Sequence, residues 1–189
     1  MAVSFSLSQN EQNLLSRLVV QVIGQRLDQE PIQAPNPLDY PESLRQHLGC
    51  FVTLSIHGYL RGCIGSIIGR EPLVSNAWRM AQAAAFQDPR FAPLTPAEWP
   101  QTAVEITVLD ALSPCPDPGK IVLGTHGLVL TLHGRTGVFL PQVPVEQSWD
   151  VPAYLSHLCA KAGLPDGSWK HPDAQLLWYE GFKFQATRA

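Results

Sequence analysis

Cys63 stands between two glycines in the run YLRGCIGS, Tyr59 to Ser66, with Arg61 two residues before it. A thiolate is the nucleophilic form of cysteine, and a neighbouring cation favours it. In a strand, residues 61 and 63 share a face, and flanking glycines let another group approach the backbone. The same run also has a structural reading. Free cysteine often behaves as a small buried hydrophobe, and Arg61 could pair with a carboxylate such as Asp88. Glu105 is a charge inside the apolar run TAVEITVL. Buried carboxylates need partners, so it either pairs with Arg61 or Arg90, faces water on an antiparallel sheet, or serves proton transfer in a cleft. His126 precedes Gly127 and is a candidate general base, because imidazole titrates near neutrality; a hydrogen bond to a loop carbonyl is the structural alternative. Asp88, Arg90 and Phe91 lie in DPRF, either a turn locked by the Asp side chain or a recognition cluster. Gln142, Glu146 and Trp149 in FLPQVPVEQSW are a ligand rim or a capped helix start.

The elements that must position these side chains follow from periodicity and turn chemistry. Ser8 and Glu11 have capping-box spacing, and Leu14, Leu15, Leu18, Val22 and Ile23 recur at helical intervals. Pro31, Pro35, Pro37 and Pro41 impose a stiff connector, followed by a helical turn in ESLRQHL that is expected to end at Gly49. CFVTLSI and YLRGCIGSII read as a hairpin turning at His57-Gly58. A two-residue turn there pairs Ile56 with Tyr59, Leu54 with Arg61 and Val52 with Cys63, which would surround the thiol with aliphatic neighbours. Glu71 and Pro72 open a helix whose alanines imply close packing. TAVEITVL, Thr102 to Leu109, is a strand, and SPCPDPG a loop. LVLTLHGRTGVFLPQV is a second hairpin with Gly134 and Arg135 in its turn. A helix spans about Asp150 to Ala162 and stops at Gly163, and LLWYEGFKFQA is a last strand interrupted by Gly181. Helices alternate irregularly with hairpins, which favours an α+β fold with a mostly antiparallel sheet flanked by helices.

At 189 residues the chain is expected to form a single domain, 1–189. Charged residues make up 15% and the net charge is −3, with no basic run, so nucleic acid is not an expected partner. No apolar stretch approaches the roughly 18 residues that span a bilayer, and MAVSFSLSQNEQ has neither the basic start nor the apolar run of a signal peptide. The four cysteines are widely spaced, as expected of free thiols in a reducing cytoplasm. No metal site is expected: His157 and Cys159 point apart on a helix, and His47 with Cys50 supplies only two ligands. Phosphate-loop, dinucleotide and nucleophile-elbow patterns are absent, and no cofactor is expected.

The runs GCFVTL, LRGCIGS, DPRF, VEITVL, HGLVL, GVFLPQVPVEQSW and LCAKAGLP occur in an order that resembles the AMMECR-domain family, protein A of the AmmeMemoRadiSam system. The resemblance spans nearly the whole chain. It implies an α+β fold with a larger and a smaller lobe, the smaller built from parts of the N-terminal half and the 110–150 region. It also implies association with a Memo-like protein and a radical-SAM enzyme. The family's motif residues fall on Arg61, Gly62, Cys63, Gly65, Asp88, Arg90, Phe91, Glu105, His126, Gly127, Gln142, Glu146 and Trp149. Ser66 replaces the usual threonine and Pro144 the usual alanine. The resemblance supplies no reaction. Two expectations result. One is an enzyme on a small organic substrate, with Cys63, Glu105 and His126 catalytic and Arg61, Asp88, Arg90, Phe91, Gln142, Glu146 and Trp149 binding substrate. The other is a non-catalytic subunit docking on one of the two partner proteins through Trp149, Phe91 and Arg90.

Overall fold

The computed structural model describes residues 6–187. The chain divides into two compact units, a larger one of residues 6–109 with 182–187 and a smaller one of residues 110–181 among those described. The segment 110–150 thus lies in the smaller unit with 151–181, while the described N-terminal half belongs wholly to the larger. The ladders are antiparallel, and the class is α+β.

In the larger unit, α1 (Gln9–Leu27) starts at the capping box read from the sequence: Ser8 accepts from the Glu11 amide and Glu11 bonds back to the Ser8 amide. The proline-rich connector holds only a 3-10 turn at Pro37–Asp39. Helix α2 is shorter than expected, Glu42–Arg45, and Gly49 is instead the first residue of β1 (Gly49–Ile56). The β1–β2 hairpin, with β2 at Tyr59–Ser66, turns at His57 (φ 52°) and Gly58 (φ 81°), both left-handed as this turn type requires. Helix α3 (Leu73–Phe86) follows, then β3 (Thr102–Leu109), giving the order β2-β1-β3 and then the end of β7. Alternate residues Val52, Leu54, Val104, Ile106 and Val108 form one buried core with α1 and α3. Each such side chain contributes about 1.5–3 kcal/mol on burial.

The smaller unit holds β4 (Ser113–Pro114), β5 (His126–Leu132), β6 (Arg135–Phe139), α4 (Val143–Glu146) and α5 (Val151–Lys161). The β5–β6 turn is His133-Gly134, φ 48° and 76°, and Arg135 belongs to the strand rather than the turn. Strand β7 (Gln175–Gln185) is not interrupted at Gly181; its first part pairs with β5 and β4 in the smaller unit, and its last residues belong to the larger. Leu128, Leu130, Tyr154, Leu155, Leu158 and Cys159 make a separate core. SPCPDPG is mostly loop, yet its first two residues pair with β7.

Candidate functional site

The hairpin carrying Cys63 departs from the expected register. Ile56 pairs with Tyr59 and Ser55 with Leu60, but Leu54 pairs with Gly62 and Thr53 with Cys63. A bulge at Leu54/Ser55 absorbs Arg61 as the extra residue. Cys63 is therefore opposite Thr53, not Val52, and lies on the face away from α3. The expected aliphatic surroundings of the thiol are thus replaced by a polar neighbour. Thr53 Oγ1 donates to Cys63 Sγ at 3.3 Å.

The bulge also explains Gly62. It points into the core, where a Cβ would collide with the carbonyl oxygen of Ala84 on α3. Gly65 similarly lies beneath the Phe51 ring. The close approach that these glycines permit is made by the protein itself.

Strand β2 ends the β2-β1-β3 order, so Cys63 has backbone groups aimed outward. DPRF occupies them. Asp88 Oδ2 accepts from the Cys63 amide at 2.9 Å, and Arg90 Nη2 donates to the Cys63 carbonyl at 3.1 Å. Asp88 Oδ1 meanwhile accepts from the Arg90 amide and Nε, the Asp-locked turn anticipated above. The Asp88 side chain is only 2% exposed, and the Arg90 guanidinium, foremost among its partners, holds its carboxyl well below the usual range. Because the Cys63 amide and carbonyl point away from β1, Thr53–Cys63 is a non-hydrogen-bonded pair, the kind whose side chains come closest.

Arg61 does not pair with Asp88. Its Nε and Nη2 reach Glu98 at 2.8 and 3.1 Å, and Nη2 also donates to the Pro93 carbonyl. Glu98 accepts further from the Thr95 amide and hydroxyl; the Arg61 bonds, then those from Thr95, lower its pKa to about 2. The Phe91 ring lies 5.9 Å from the Arg61 guanidinium and 5.5 Å from that of Arg90. Both cations already have carboxylate partners.

Glu105 is directly opposite Thr53 on β3, so Cys63, Thr53 and Glu105 form one row across three strands. Two strand spacings place Glu105 about 10 Å from Cys63 along the sheet, too far for direct proton exchange. Glu105 pairs with neither Arg61 nor Arg90. Gln185 Nε2 lies 3.2 Å and Lys183 Nζ 3.5 Å from its Oε2.

His126, Gln142, Glu146 and Trp149 belong to the smaller unit. His126 Nδ1 accepts from the Val122 amide at 3.1 Å, a loop N–H rather than the anticipated carbonyl. The neutral ring therefore carries its proton on Nε2, 3.8 Å from Glu180 Oε1, and tilts over Trp178 at 4.6 Å. Asp110 accepts from the Glu180 amide at 2.7 Å. Burial pushes the Asp110 carboxyl up, and the Glu180 charge adds to this. Gln142 caps α4 through its carbonyl, while its side chain and Glu146 are exposed. Trp149 stacks on His157 at 4.0 Å and meets Phe139 edge-on. Pro144 is buried.

Sequence reasoning missed Thr53, Glu98, Lys183, Gln185, Asp110 and Glu180. The one available signal was the capping spacing of Thr95 and Glu98. It also missed an exposed group of His133, His171 and Asp173 in the smaller unit. Cys50, Cys115 and Cys159 are buried, and Cys63 alone of the four free thiols is partly exposed. Burial raises the Cys50 pKa to about 12 and pushes Cys115 up as well. Among the described residues no helix is long and apolar enough to cross a membrane.

The AMMECR1 family model matches residues 16–184. A protein of Thermofilum pendens is 37% identical over 96% of this chain and 92% of its own length. Protein TK0174 of Thermococcus kodakarensis is 38% identical over 79% of this chain and 78% of its own. In three dimensions the chain is similar to the uncharacterized protein PH0010 from Pyrococcus horikoshii, with a TM-score of 0.77, 33% identity, and coverage of 96% of this chain and 94% of that one.

Proposed function

The chain belongs to the AMMECR1 family, and from that premise we propose that it is an enzyme acting on a small organic substrate at the sheet face around Cys63, opposite the one that α3 covers. The observation that carries this reading is the treatment of one thiol. Its peptide is held on both sides by Asp88 and Arg90, its sulfur receives the Thr53 hydroxyl, and it is the one thiol of four not buried. Fixing a nucleophile in this way removes the entropy of finding the reactive geometry. Cys63, having released its proton to solvent, adds as the thiolate to an electrophilic carbonyl carbon, whose π electrons pass to the carbonyl oxygen; Thr53 stabilises the sulfur before the attack, and Glu105 contacts a distant part of a substrate lying along the row. Asp88 and Arg90 position the thiol through its peptide; these two charges and that of Arg61 are already satisfied within the unit, with Phe91 beside both cations. His126, with Glu180 beside it, is a separate proton-transfer candidate of the smaller unit. Gln142, Glu146 and Trp149 are the candidate ligand contacts of that unit. Four free thiols suit a reducing, cytoplasmic setting.

A second reading is favoured by Tyr59 and Leu60, which are 80% and 45% exposed at the tip of the same hairpin. Under it the chain is a non-catalytic subunit that docks on a Memo-like or radical-SAM protein, with Phe91 and Arg90 as anchors on the larger unit and Trp149 as a separate anchor on the smaller. Iodoacetamide labelling of the folded chain at neutral pH, mapped by mass spectrometry, separates the two. The enzyme reading expects Cys63 to be alkylated first and faster than free cysteine, with the fast phase lost in Cys63→Ser. A Cys63 no faster than the three buried thiols overturns it and leaves the docking reading.

A further inference from the structure

His133 is the first residue of the β5–β6 turn, held at φ 48°. His171 and Asp173 lie in the loop between a 3-10 turn at Ser168–Lys170 and β7. The two histidines are 38 positions apart along the chain, yet their rings stand 5.3 Å apart at 75°. Asp173 Oδ2 is 3.8 Å from His133 Nε2 and 3.8 Å from His171 Nδ1. One donor atom from each of the three lies within 4.8 Å of the others.

The loop is fixed by short-range bonds. The Asp173 amide donates to His171 Nδ1 at 3.1 Å, and the Ala174 amide donates to the His171 carbonyl at 2.9 Å. The carboxylate thus sits between two imidazoles that come from different elements. That differs from an ordinary surface charge run, in which neighbours follow one another along the chain. Bond lengths of about 2.0–2.2 Å to zinc set adjacent tetrahedral donors roughly 3.4 Å apart. The observed 3.8 Å separations approach that spacing, and all three side chains are exposed.

We propose that His133, His171 and Asp173 form a surface site for a divalent cation of the zinc, cobalt or nickel class, which ties the hairpin turn to the approach of β7. Two imidazole nitrogens select these metals over magnesium and calcium, which prefer all-oxygen shells. Three protein donors leave one tetrahedral position for water or a small anion. Metal entering at His171 Nδ1 displaces the Asp173 amide from that nitrogen, whereas entry at Nε2 requires the ring to turn.

The site is independent of Cys63, and its test uses the full chain without an affinity tag. Cobalt(II) titrated into the protein should give visible absorption saturating at one equivalent, without the near-ultraviolet band of a thiolate ligand. Calorimetry with zinc should give the same stoichiometry, and magnesium no heat. His133→Ala, His171→Ala and Asp173→Asn should each weaken zinc at least about 10-fold, since even outer-shell partners of a metal cost that much. His57→Ala is the matched control: it occupies the same turn position in the other hairpin, where its Nε2 meets Gln101, and should leave binding unchanged. Zinc binding that survives all three substitutions, falls equally with His57→Ala, or is absent at micromolar metal overturns the proposal. All three side chains are exposed, so circular dichroism should show each variant folded.

Discussion

The two long hairpins share a plan and differ at two places. Each turns on His-Gly with both residues left-handed. Each has leucine opposite glycine at the third pair from the turn, Leu54–Gly62 and Leu130–Gly137. In each, a helix backbone rests on that glycine: Ala84 of α3 on Gly62, Leu158 of α5 and its capping residue Ala162 on Gly137. The next pair diverges. In the smaller unit it is Val129–Val138, and in the larger it is Thr53–Cys63. The bulge is also confined to the larger unit's hairpin. One extra residue there, Arg61, is turned aside to Glu98, and DPRF clamps the strand edge beside it. A common supersecondary unit thus carries a plain aliphatic pair at this position in one place. In the other it holds a thiol in a fixed polar setting.

The largest expected effect tests the shared part. Gly62→Ala drives a Cβ into the carbonyl of Ala84, and neither backbone yields as a flexible side chain would. Overpacking of this kind costs about 3 kcal/mol, read from the urea midpoint. Gly137→Ala, whose Cβ would stand 2.7 Å from the Leu158 carbonyl and the Ala162 amide, should cost a similar amount. A loss below about 0.5 kcal/mol, the level of an ordinary surface substitution, in either variant would break the equivalence.

Asp88→Asn tests what is particular to the first hairpin. The buried carboxylate accepts from the Cys63 amide and three Arg90 donors. Losing the charge should cost about 2 kcal/mol. Hydrogen exchange at the Cys63 amide should speed up, while exchange in β5–β6 stays unchanged. The pH dependence has a defined sign. The folded pKa of Asp88 is depressed, so its contribution is complete above the unfolded value near 3.9 and fades as pH falls toward the folded one. Glu98 behaves alike from about 4.3 down to about 2. Asp88→Asn should therefore flatten part of the acid limb of the stability curve and leave the limb above pH 5 parallel to wild type. An unchanged acid limb would mean that the clamp carries no charge-dependent stability.

How much of this was legible in the sequence depends on the range of the cause. The Ser8–Glu11 capping box, the His57-Gly58 turn and the TAVEITVL strand are set by neighbours within four residues, and the sequence shows them. The bulge is not legible. Two glycines in LRGCIGS erase the alternation that normally fixes which side chains share a face, so the regular ladder was the natural reading and gave Cys63 the wrong partner. Arg61 finds Glu98 thirty-seven positions away, and Glu105 finds Lys183 and Gln185 about eighty away; charge type predicts that such partners exist but not which ones. The second His-Gly pair is equally visible, yet the turn expected at Gly134 and Arg135 lies one residue earlier, at His133-Gly134.

The smallest expected effect concerns the divergent pair itself. Thr53→Val keeps the branched shape and removes only the hydroxyl that donates to Cys63 Sγ. On stability the change should be under about 1 kcal/mol, the usual net worth of one hydrogen bond. On reactivity it should be visible as well: a hydrogen bond to a sulfur becoming anionic is worth about 1.5 kcal/mol, and since a stabilised thiolate is also a weaker nucleophile, about half of that, roughly 3-fold, reaches the rate. Alkylation of Cys63 at neutral pH should slow by that factor. Thr131→Val supplies the counterpart in the other hairpin, where Thr131 and Thr136 face each other with hydroxyls 3.1 Å apart; it should leave Cys63 labelling untouched. Equal slowing in both variants would mean that the hydroxyls act only through general stability, and that Thr53 stands beside the thiol without bearing on its chemistry.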